Sequence, residues 1–334
     1  MLDDRKTAIL RAVVQEYITT AQPVGSGHVA NAPGVNVSSA TVRNEMAVLE
    51  QEGFLVQPHT SAGRVPTDKG YRFFVDHLAH PGHLDAARSQ EVRSFFDSAH
   101  GALEEMLHET SRLLSRLTDY AAVVIGPAHE TAVLRSVQLV SLAPRTVLLV
   151  TVTSNGSVEQ HHLDTDQDVS ETAVSAATAH LGMHLVGHTA AEPAPLASSG
   201  DASVDALCDQ ATRALEASTR RKTEDHVYVG GASKMASAFD AVEVVRNVLQ
   251  TLEQQYVVVT MLRDVLHRGL SVAIGAEHGV EPLVACSVVV APYIVEGMPV
   301  GTVGVLGPTR MNYPHALAAV DVVSERLGRR LSDG

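Results

Sequence analysis

The segment that most constrains the fold is residues 36–66, "NVSSATVRNEMAVLEQEGFLVQPHTSAGRVP". Ser38 or Ser39 can cap a helix that runs to about Glu52, and Gly53 ends it. The runs "FLVQ" and "RVP" are predicted to be strands on either side of the turn "PHTSAG". A helix followed at once by a short hairpin is typical of heads that bind DNA, but the same unit also serves as a protein-interaction module. The pattern therefore predicts a binding head and leaves its ligand open.

Two more helices are predicted ahead of this segment. In "RKTAILRAVVQEYI" the apolar residues recur as one helical stripe between Ile9 and Ile18, and Pro23 ends any helix that follows. Ser26 is predicted to cap a very short second helix that continues to Asn31. The order helix, helix, helix, hairpin occurs both in DNA-binding heads and in protein-interaction modules.

The third helix has the side chains that a recognition helix needs. Val42, Met46 and Leu49 form its core-facing row, so the polar residues near its N-terminus lie on other faces. In the major groove Arg can bond guanine and Asn can bond adenine, while hydroxyl groups and a helix N-terminus hold phosphate. Thr41 has the alternative role of supporting the helix, and the division between base and phosphate contacts stays open. The predicted DNA contacts are Ser38, Ser39, Thr41, Arg43 and Asn44 in the helix, His59, Thr60, Ser61 and Arg64 in the hairpin, and Lys69 and Arg72 on the DNA backbone.

The charge of the chain is compatible with DNA binding once it is located. The formal net charge is −13, but residues 1–80 contain seven Lys and Arg against eight Asp and Glu. The acidity therefore lies mostly outside the predicted head. Phosphate binding depends on local clusters of basic side chains rather than on the total charge, so an acidic remainder does not exclude it.

Composition limits the class of protein. With 334 residues and 45% hydrophobic content, the chain is expected to divide into two or three globular domains. No apolar run reaches the roughly 18 residues of a membrane span, and the start of the chain lacks the layout of a secretory signal. Cys208 and Cys286 are far apart, so neither a disulfide framework nor a cysteine-based zinc site is predicted. The expectation is a cytoplasmic protein without a membrane contact.

Three segments resemble the HrcA family, the heat-inducible transcription repressors of bacteria. They are "PVGSGHVA", "VSSATVRNEMAVLEQEGFLVQPHTSAGRVPTDKGYRFFVD" and "GVLGPTRMNYPHALAAVDVV". The N-terminal match spans about residues 5–78, and the run "GPTRMNY" at 307–313 is long and unusual. The resemblance implies a winged-helix head, a GAF-like domain and a dimerising segment inserted into that domain. It also implies a homodimer on an inverted-repeat operator ahead of chaperone operons, kept active by the GroEL-type chaperonin and inactivated on heat stress.

These expectations give an α+β fold with four parts. The winged-helix DNA-binding domain is assigned to residues 1–80, a helical linker or spacer to 81–120, the GAF-like domain to 121–154 and 226–334, and the inserted dimerisation segment to 155–225. The β-rich runs "VLRSVQLVSL" and "TVLLVTVT" are predicted to pair antiparallel. The amphipathic stripe from Leu103 to Leu117 fits either a helix packed on its own domain or a spacer and dimer contact.

No arrangement in the rest of the sequence predicts catalysis. The run "HHLDTDQD" is typical of a solvated acidic loop more than of a metal site, and Glu277 beside His278 has no nucleophile near it in sequence. The glycines of "GMPVGTVGVLGPTR" lack the spacing of a phosphate-binding loop. We therefore predict a repressor that is not an enzyme and has no cofactor, metal or catalytic residue. The alternative is a metabolite sensor or enzyme with its pocket in residues 121–330 and the head as a docking module.

Overall fold

A computed structural model gives the fold of residues 2–60, 62–77, 82–98, 102–127, 133–154, 158–189, 196–221, 227–239, 242–267 and 271–332. The head is the winged helix-turn-helix that the sequence predicts. Its elements are α1 (Asp4–Thr20), α2 (Ser26–Ala30), α3 (Ser39–Gln51), β1 (Leu55–Val56), β2 (Val65–Pro66) and α4 (Asp68–His77).

The predicted helices of the head form because their apolar faces share one core. In α1 the stripe buries Ile9, Leu10, Val13 and Val14, and α3 buries its row against them. The second helix differs by one residue from its prediction, since Gly25 is the N-cap and Ser26 is the first helical residue. β1 and β2 pair antiparallel and form the wing.

The body is a five-stranded antiparallel sheet between two layers of helices. Its elements are α5 (Ala86–Ser98), α6 (Leu103–Thr118), β3 (Ala121–Ile125), β7 (Val227–Gly230), α9 (Lys234–Ala238), α10 (Val242–Glu253), α11 (Gln255–His267), β8 (Val272–Ile274), β9 (Cys286–Val295), β10 (Met298–Pro308) and α12 (Tyr313–Ser332). The strand order in the sheet is β7-β3-β10-β9-β8. One face of the sheet packs on α6 and α12 and continues into the core of the head, and the other face packs on α9, α10 and α11.

Helix α6 belongs to the body, although residues 81–120 are predicted to be a linker or spacer. Its stripe from Leu107 to Leu117 is buried, and the helix contacts β3, β7, β10 and α12. Gly230 shows how close the packing is, because a Cβ atom there would lie 2.5 Å from the Ser111 backbone. The helix therefore packs on its own domain, which was one of the two alternatives.

The inserted unit has a sheet and a core of its own. It comprises β4 (Leu134–Ala143), β5 (Thr146–Thr153), β6 (Val158–Asp164), α7 (Glu171–Leu185) and α8 (Ala202–Arg221). β4, β5 and β6 form an antiparallel three-stranded sheet whose inner face packs on α7 and α8. The predicted pairing of β4 with β5 is confirmed. The predicted boundary at residue 154 differs from the structure, since both strands lie in the insertion and not in the GAF-like sheet.

The run at 307–315 holds the joint between α6, the sheet and α12. The Asn312 side chain accepts a hydrogen bond from the His315 N–H at the start of α12, and the Asn312 backbone N–H donates to the Tyr120 hydroxyl at 2.9 Å. The buried Tyr313 hydroxyl donates to the Thr309 carbonyl and lies 2.8 Å from the Ser287 hydroxyl. These contacts give the unusual sequence a structural role.

Candidate nucleic-acid interface

The N-terminal end of α3 is fixed by a side-chain cap. Ser38 has extended backbone angles, and its hydroxyl accepts a hydrogen bond from the Thr41 N–H at 3.2 Å. The Ser38 and Thr41 hydroxyls also lie 3.0 Å apart, so Thr41 contributes to the cap. Ser39 is half-buried, and its hydroxyl lies 3.3 Å from that of Ser26 at the start of α2. The two helices of the helix-turn-helix are thereby connected at their N-terminal ends.

Arg43 and Asn44 lie one turn further along the same helix and are both exposed. Among the described residues neither side chain has a hydrogen bond or an ion pair. An unpaired guanidinium and an unpaired amide on an exposed helix surface keep their full hydrogen-bonding capacity for a ligand. This is the chemistry that reads guanine and adenine in the major groove.

The wing is held to the helices by backbone contacts. Val24 and Arg64 form an antiparallel bridge with two N–H to carbonyl hydrogen bonds of 2.9 Å. Gly63 is the last residue of the predicted turn, where glycine would allow a left-handed backbone conformation. Its φ is not positive, so that conformation is not what requires glycine here. A Cβ atom at Gly63 would lie 2.3 Å from the Val24 carbonyl oxygen, so glycine permits the close approach of the two segments.

The tip of the wing is ordered by one amide. Gln57 Nε2 donates to the carbonyl oxygens of Thr60 at 3.0 Å and Ala62 at 2.9 Å. His59 and Thr60 are exposed at this tip, as expected for residues that contact DNA. Ser61, also a predicted contact, lies outside the described residues.

Arg64 supports the wing. Its guanidinium forms an ion pair with Glu50 of α3, with Nε 3.0 Å and Nη2 2.9 Å from the same carboxylate oxygen, and its side chain is only 17% exposed. Glu50 also accepts from the Gln57 N–H at 3.1 Å. The predicted phosphate contact would have to break this pair, so the geometry favours a positioning role for Arg64.

Lys69 is turned away from the predicted DNA contact. Its ammonium donates to the Glu52 carbonyl at 2.7 Å and lies 4.4 Å from the centre of the Phe54 ring. Glu52 is the C-cap of α3, and a cation there satisfies a free carbonyl of the last turn. Lys69 therefore stabilises the end of α3 that lies opposite to Arg43.

Arg72 also differs from its predicted role on the DNA backbone. Its guanidinium binds the Glu277 carboxylate, donates to the Val272 carbonyl at 2.8 Å and pairs with Asp76 at 3.0 Å. Glu277 and Val272 belong to the body, so Arg72 connects the head with the body. In the sequence, a basic residue near such a head looks the same whether its partner is a phosphate or a distant carboxylate.

Glu50 and Gln57 are the residues that sequence reasoning missed in the head. Both support the wing through contacts over 3 to 14 positions in the sequence. The available signal is a carboxylate in the last turn of α3, Glu50, and an amide directly after β1, Gln57. That signal is weak, since polar residues are common at the ends of helices and strands.

The body offers no catalytic arrangement among the described residues. His278 is buried, donates from Nε2 to the Leu283 carbonyl at 3.0 Å and accepts the Val280 N–H at Nδ1. Burial lowers the pKa of His278, more than the neighbouring carbonyls and the charge of Glu277 raise it. With both ring nitrogens occupied and Glu277 bound to Arg72, this pair is structural.

Two further observations concern the alternative functions. An open cleft of about 430 Å³ lies between α10 and the segment after β8. Its lining residues are mostly polar and are Asn247, Gln250, Thr251, Gln254, Glu281 and Pro282. In the described part of the chain no group of three metal-ligating side chains comes together, and no helix has the length and apolar character to cross a bilayer.

Comparison with known proteins identifies the family. The family model described as the HrcA protein C terminal domain matches residues 104–317. The heat-inducible transcription repressor HrcA of Pseudarthrobacter chlorophenolicus is 39% identical over 338 residues, covering 99% of both chains. The protein of the same name from Streptomyces avermitilis is 38% identical over 339 residues and 100% of both chains.

A solved structure supports the fold. A crystal structure titled as that of a hypothetical protein superposes with a TM-score of 0.66 at 23% identity, covering 100% of this chain and 99% of that chain. The head, the body and the insertion therefore occur together in a protein of known structure. Since the family model spans more than half of the residues and the relatives align end to end, the chain belongs to the HrcA family of heat-inducible transcription repressors.

Proposed function

We propose that two copies of the chain bind an inverted-repeat operator ahead of chaperone genes and repress their transcription. The observation that carries the proposal is that Arg43 and Asn44 are exposed on the capped N-terminal half of α3 and have no partner within the described ranges. The named relatives are transcription repressors and not enzymes, which favours this function over the catalytic alternative.

The predicted DNA-contacting residues fall into three groups, which are base contacts, contacts to the DNA backbone and supporting residues. Arg43 and Asn44 read base edges, while Ser38, Ser39 and Thr41 hold phosphate beside the helix N-terminus. His59 and Thr60 touch the sugar-phosphate backbone from the wing tip. Arg64 and Lys69 keep the wing and the recognition helix in place through Glu50 and the end of α3.

Substitution of Arg43 tests the recognition helix. Arg43→Ala should remove most of the preference for the repeat over a scrambled duplex, because a bidentate contact to guanine contributes about 1–3 kcal/mol of discrimination. Arg43→Lys keeps the charge but not the planar fork, so it should retain general affinity and still lose preference. Fluorescence anisotropy with both duplexes over a salt series measures these effects.

The matched control is Arg112→Ala, which removes an exposed arginine from α6 of the body. It should leave both affinities unchanged. Equal, small losses for Arg43→Ala on the repeat and on the scrambled duplex would contradict the assignment of α3 as the recognition helix.

The outer face of the inserted sheet supports dimerisation. Strand residues alternate between the faces, so the residues between the core positions of β4, β5 and β6 point away from α7 and α8. Val140 is 43% exposed and Val158 is 59% exposed on this face. The face carries six apolar residues, which are Val140, Leu142, Leu148, Val150, Val152 and Val158. A second copy is the occupant we propose, because the family resemblance assigns dimerisation to the insertion.

Aspartate at the outer face tests the dimer. Val140→Asp with Val158→Asp should convert the protein to a monomer by light scattering, because a buried unpaired carboxylate is costly. Val242→Asp makes one such substitution at a 73% exposed valine of α10 and should leave the oligomeric state unchanged. A wild type that is monomeric both free and on DNA would contradict dimerisation.

The chaperonin part of the proposal rests on the family resemblance. GroEL-type chaperonin should raise the fraction of wild-type protein that is competent to bind the repeat, and heat should lower it. The anisotropy titration, repeated with and without chaperonin, measures that fraction. An unchanged fraction at every temperature would contradict this part and leave the DNA-binding part standing.

A further inference from the structure

Among the contacts between the head and the body is an ion pair of an arginine that lies outside the proposed DNA interface. Arg72 of α4 extends across the boundary and binds Glu277 of the body, with its Nε 3.0 Å from Oε1 and its Nη2 bound to Oε2. The same Nη2 donates to the Val272 carbonyl at 2.8 Å. The Arg72 and Glu277 side chains are 23% and 33% exposed, so the pair is largely withdrawn from solvent. A paired fork geometry of this kind fixes direction as well as distance.

The body presents this carboxylate in a fixed position. The Ile274 N–H donates to Glu277 at 2.8 Å, which ties the side chain to the turn that follows β8. In that turn Gly275 has a φ of +55°. A Cβ atom at Gly275 would lie 2.3 Å from an Asp68 carboxylate oxygen at the start of α4. Glycine therefore permits the two segments to touch.

An aromatic contact and one backbone hydrogen bond accompany the ion pair. Tyr71 of α4 and Tyr313 of α12 have ring centres 5.9 Å apart, and the Gly82 N–H donates to the Pro314 carbonyl at 3.0 Å. The hydroxyl of Tyr71 is buried without a hydrogen-bond partner among the described residues. Apolar packing is not directional, so among these contacts the bidentate pair restricts the orientation of the head most strictly.

We propose that Arg72 and Glu277 form a clamp that sets the angle of the head on the body, and that Arg72 is a positioning residue for operator recognition. The inference rests on the proposed function, because a fixed head angle matters when two heads read two half-sites. Half-sites one helical turn apart, about 10 base pairs, require a matching separation of the recognition helices. A rigid joint between head and body holds the two recognition helices at one separation. A loose joint allows several separations, so the effective concentration of the second head at its half-site is lower.

A distance measurement within one chain tests the clamp without DNA. Nitroxide labels at Gln51→Cys in the head and Asp321→Cys on α12 report the head angle, since both sites are exposed and the native Cys208 and Cys286 are buried. Labelled protein is diluted with unlabelled protein so that only distances within one chain are read. The wild type should give a single narrow distance distribution. Arg72→Ala and Glu277→Gln should each broaden it.

Asp76→Asn is the matched control. Asp76 pairs with the same guanidinium but belongs to α4, so its loss leaves the connection to the body intact. Its distance distribution should stay as narrow as that of the wild type. Unchanged distributions in Arg72→Ala and Glu277→Gln would overturn the clamp.

DNA binding supplies the second readout. The duplexes are a single half-site, the inverted repeat, and the repeat with its spacer lengthened by about five base pairs, which turns one half-site to the opposite side of the duplex. The wild type should prefer the native spacing by about tenfold or more, and Arg72→Ala and Glu277→Gln should lose most of that preference while keeping their half-site affinity.

The two variants together separate the clamp from a phosphate contact. If Arg72 touches phosphate, Arg72→Ala alone weakens binding to every duplex and lowers the salt slope by about one unit, and Glu277→Gln does not. That result would overturn the clamp. A wild type without preference for the repeat over a scrambled duplex would instead overturn the proposed function, and the spin-label distances would still decide whether the clamp exists.

Discussion

At the residue scale, the sequence predicted those features that depend on residues close by in the chain. Ser38 as the cap of α3 and the buried row Val42, Met46 and Leu49 are confirmed, because a cap and a helical face depend on neighbours within a few positions. The partner of Arg72 lies 205 positions away, so no local pattern contains it. Glu277 resembled one half of an acid–base pair with His278 for the same reason, since its partner Arg72 is equally distant in the sequence.

His278 predicts a dependence of stability on pH. Its pKa is lowered from the ordinary value of 6.5 by burial, so the neutral ring is the folded form. The unfolded chain then binds more protons near this pH, and the contribution of His278 is present above pH 6.5 and is lost as the pH falls through the folded pKa. His278→Gln should flatten the difference in the free energy of unfolding between neutral and mildly acidic solution. Denaturant titrations at both pH values measure it.

His83→Gln is the control for this prediction, because His83 is exposed in the segment before α5. It should leave the pH dependence as in the wild type. A His278→Gln profile parallel to that of the wild type would show that other groups cause the acid sensitivity.

At the element scale, strand and helix positions were predictable but their assignment to sheets was not. The sequences of β4 and β5 have high β-propensity, which says that a segment is a strand and not which sheet it joins. Their side chains Leu139 and Leu149 pack on α7 and α8, so the insertion starts before residue 134 and not at 155. Such an assignment depends on the complementary helices, which follow later in the chain.

The cap of α3 allows stability and DNA binding to be separated. Ser38→Ala should lower the free energy of unfolding by about 1 kcal/mol, because the Thr41 N–H loses its acceptor. Ser38→Asp keeps an acceptor and places a favourable charge at the helix N-terminus, so stability should be retained. The same charge beside the DNA backbone should lower operator affinity by about fivefold or more. Thermal unfolding and anisotropy measure the two effects.

Ser170 supplies the matched control, since its hydroxyl caps α7 by accepting the Ala173 N–H at 3.2 Å. Ser170→Asp makes the same chemical change in the insertion and should not alter operator affinity. Equal affinity for Ser38→Asp and the wild type would show that the N-terminus of α3 does not approach DNA.

At the scale of the whole molecule, the insertion interrupts a hairpin of the body. β3 and β7 are adjacent antiparallel strands, and Ile125 at the end of β3 is the direct partner of Val227 at the start of β7. The chain thus leaves the sheet and returns to it at a single point. Because the insertion has its own core, its removal should not expose the inner faces of the body sheet.

Replacement of residues 126–226 by an Asn-Gly turn should therefore give a folded head and body. Two-residue turns of this sequence join antiparallel strands whose end residues are direct partners, as Ile125 and Val227 are. If the insertion holds two copies together, the shortened protein should be a monomer by light scattering. It should bind a single half-site as the full chain does and lose the added affinity for the inverted repeat, which depends on two linked heads. If circular dichroism shows that the shortened protein is folded and it remains a dimer, the dimer contact lies outside the insertion. If it loses half-site binding, the insertion contributes to the DNA interface itself.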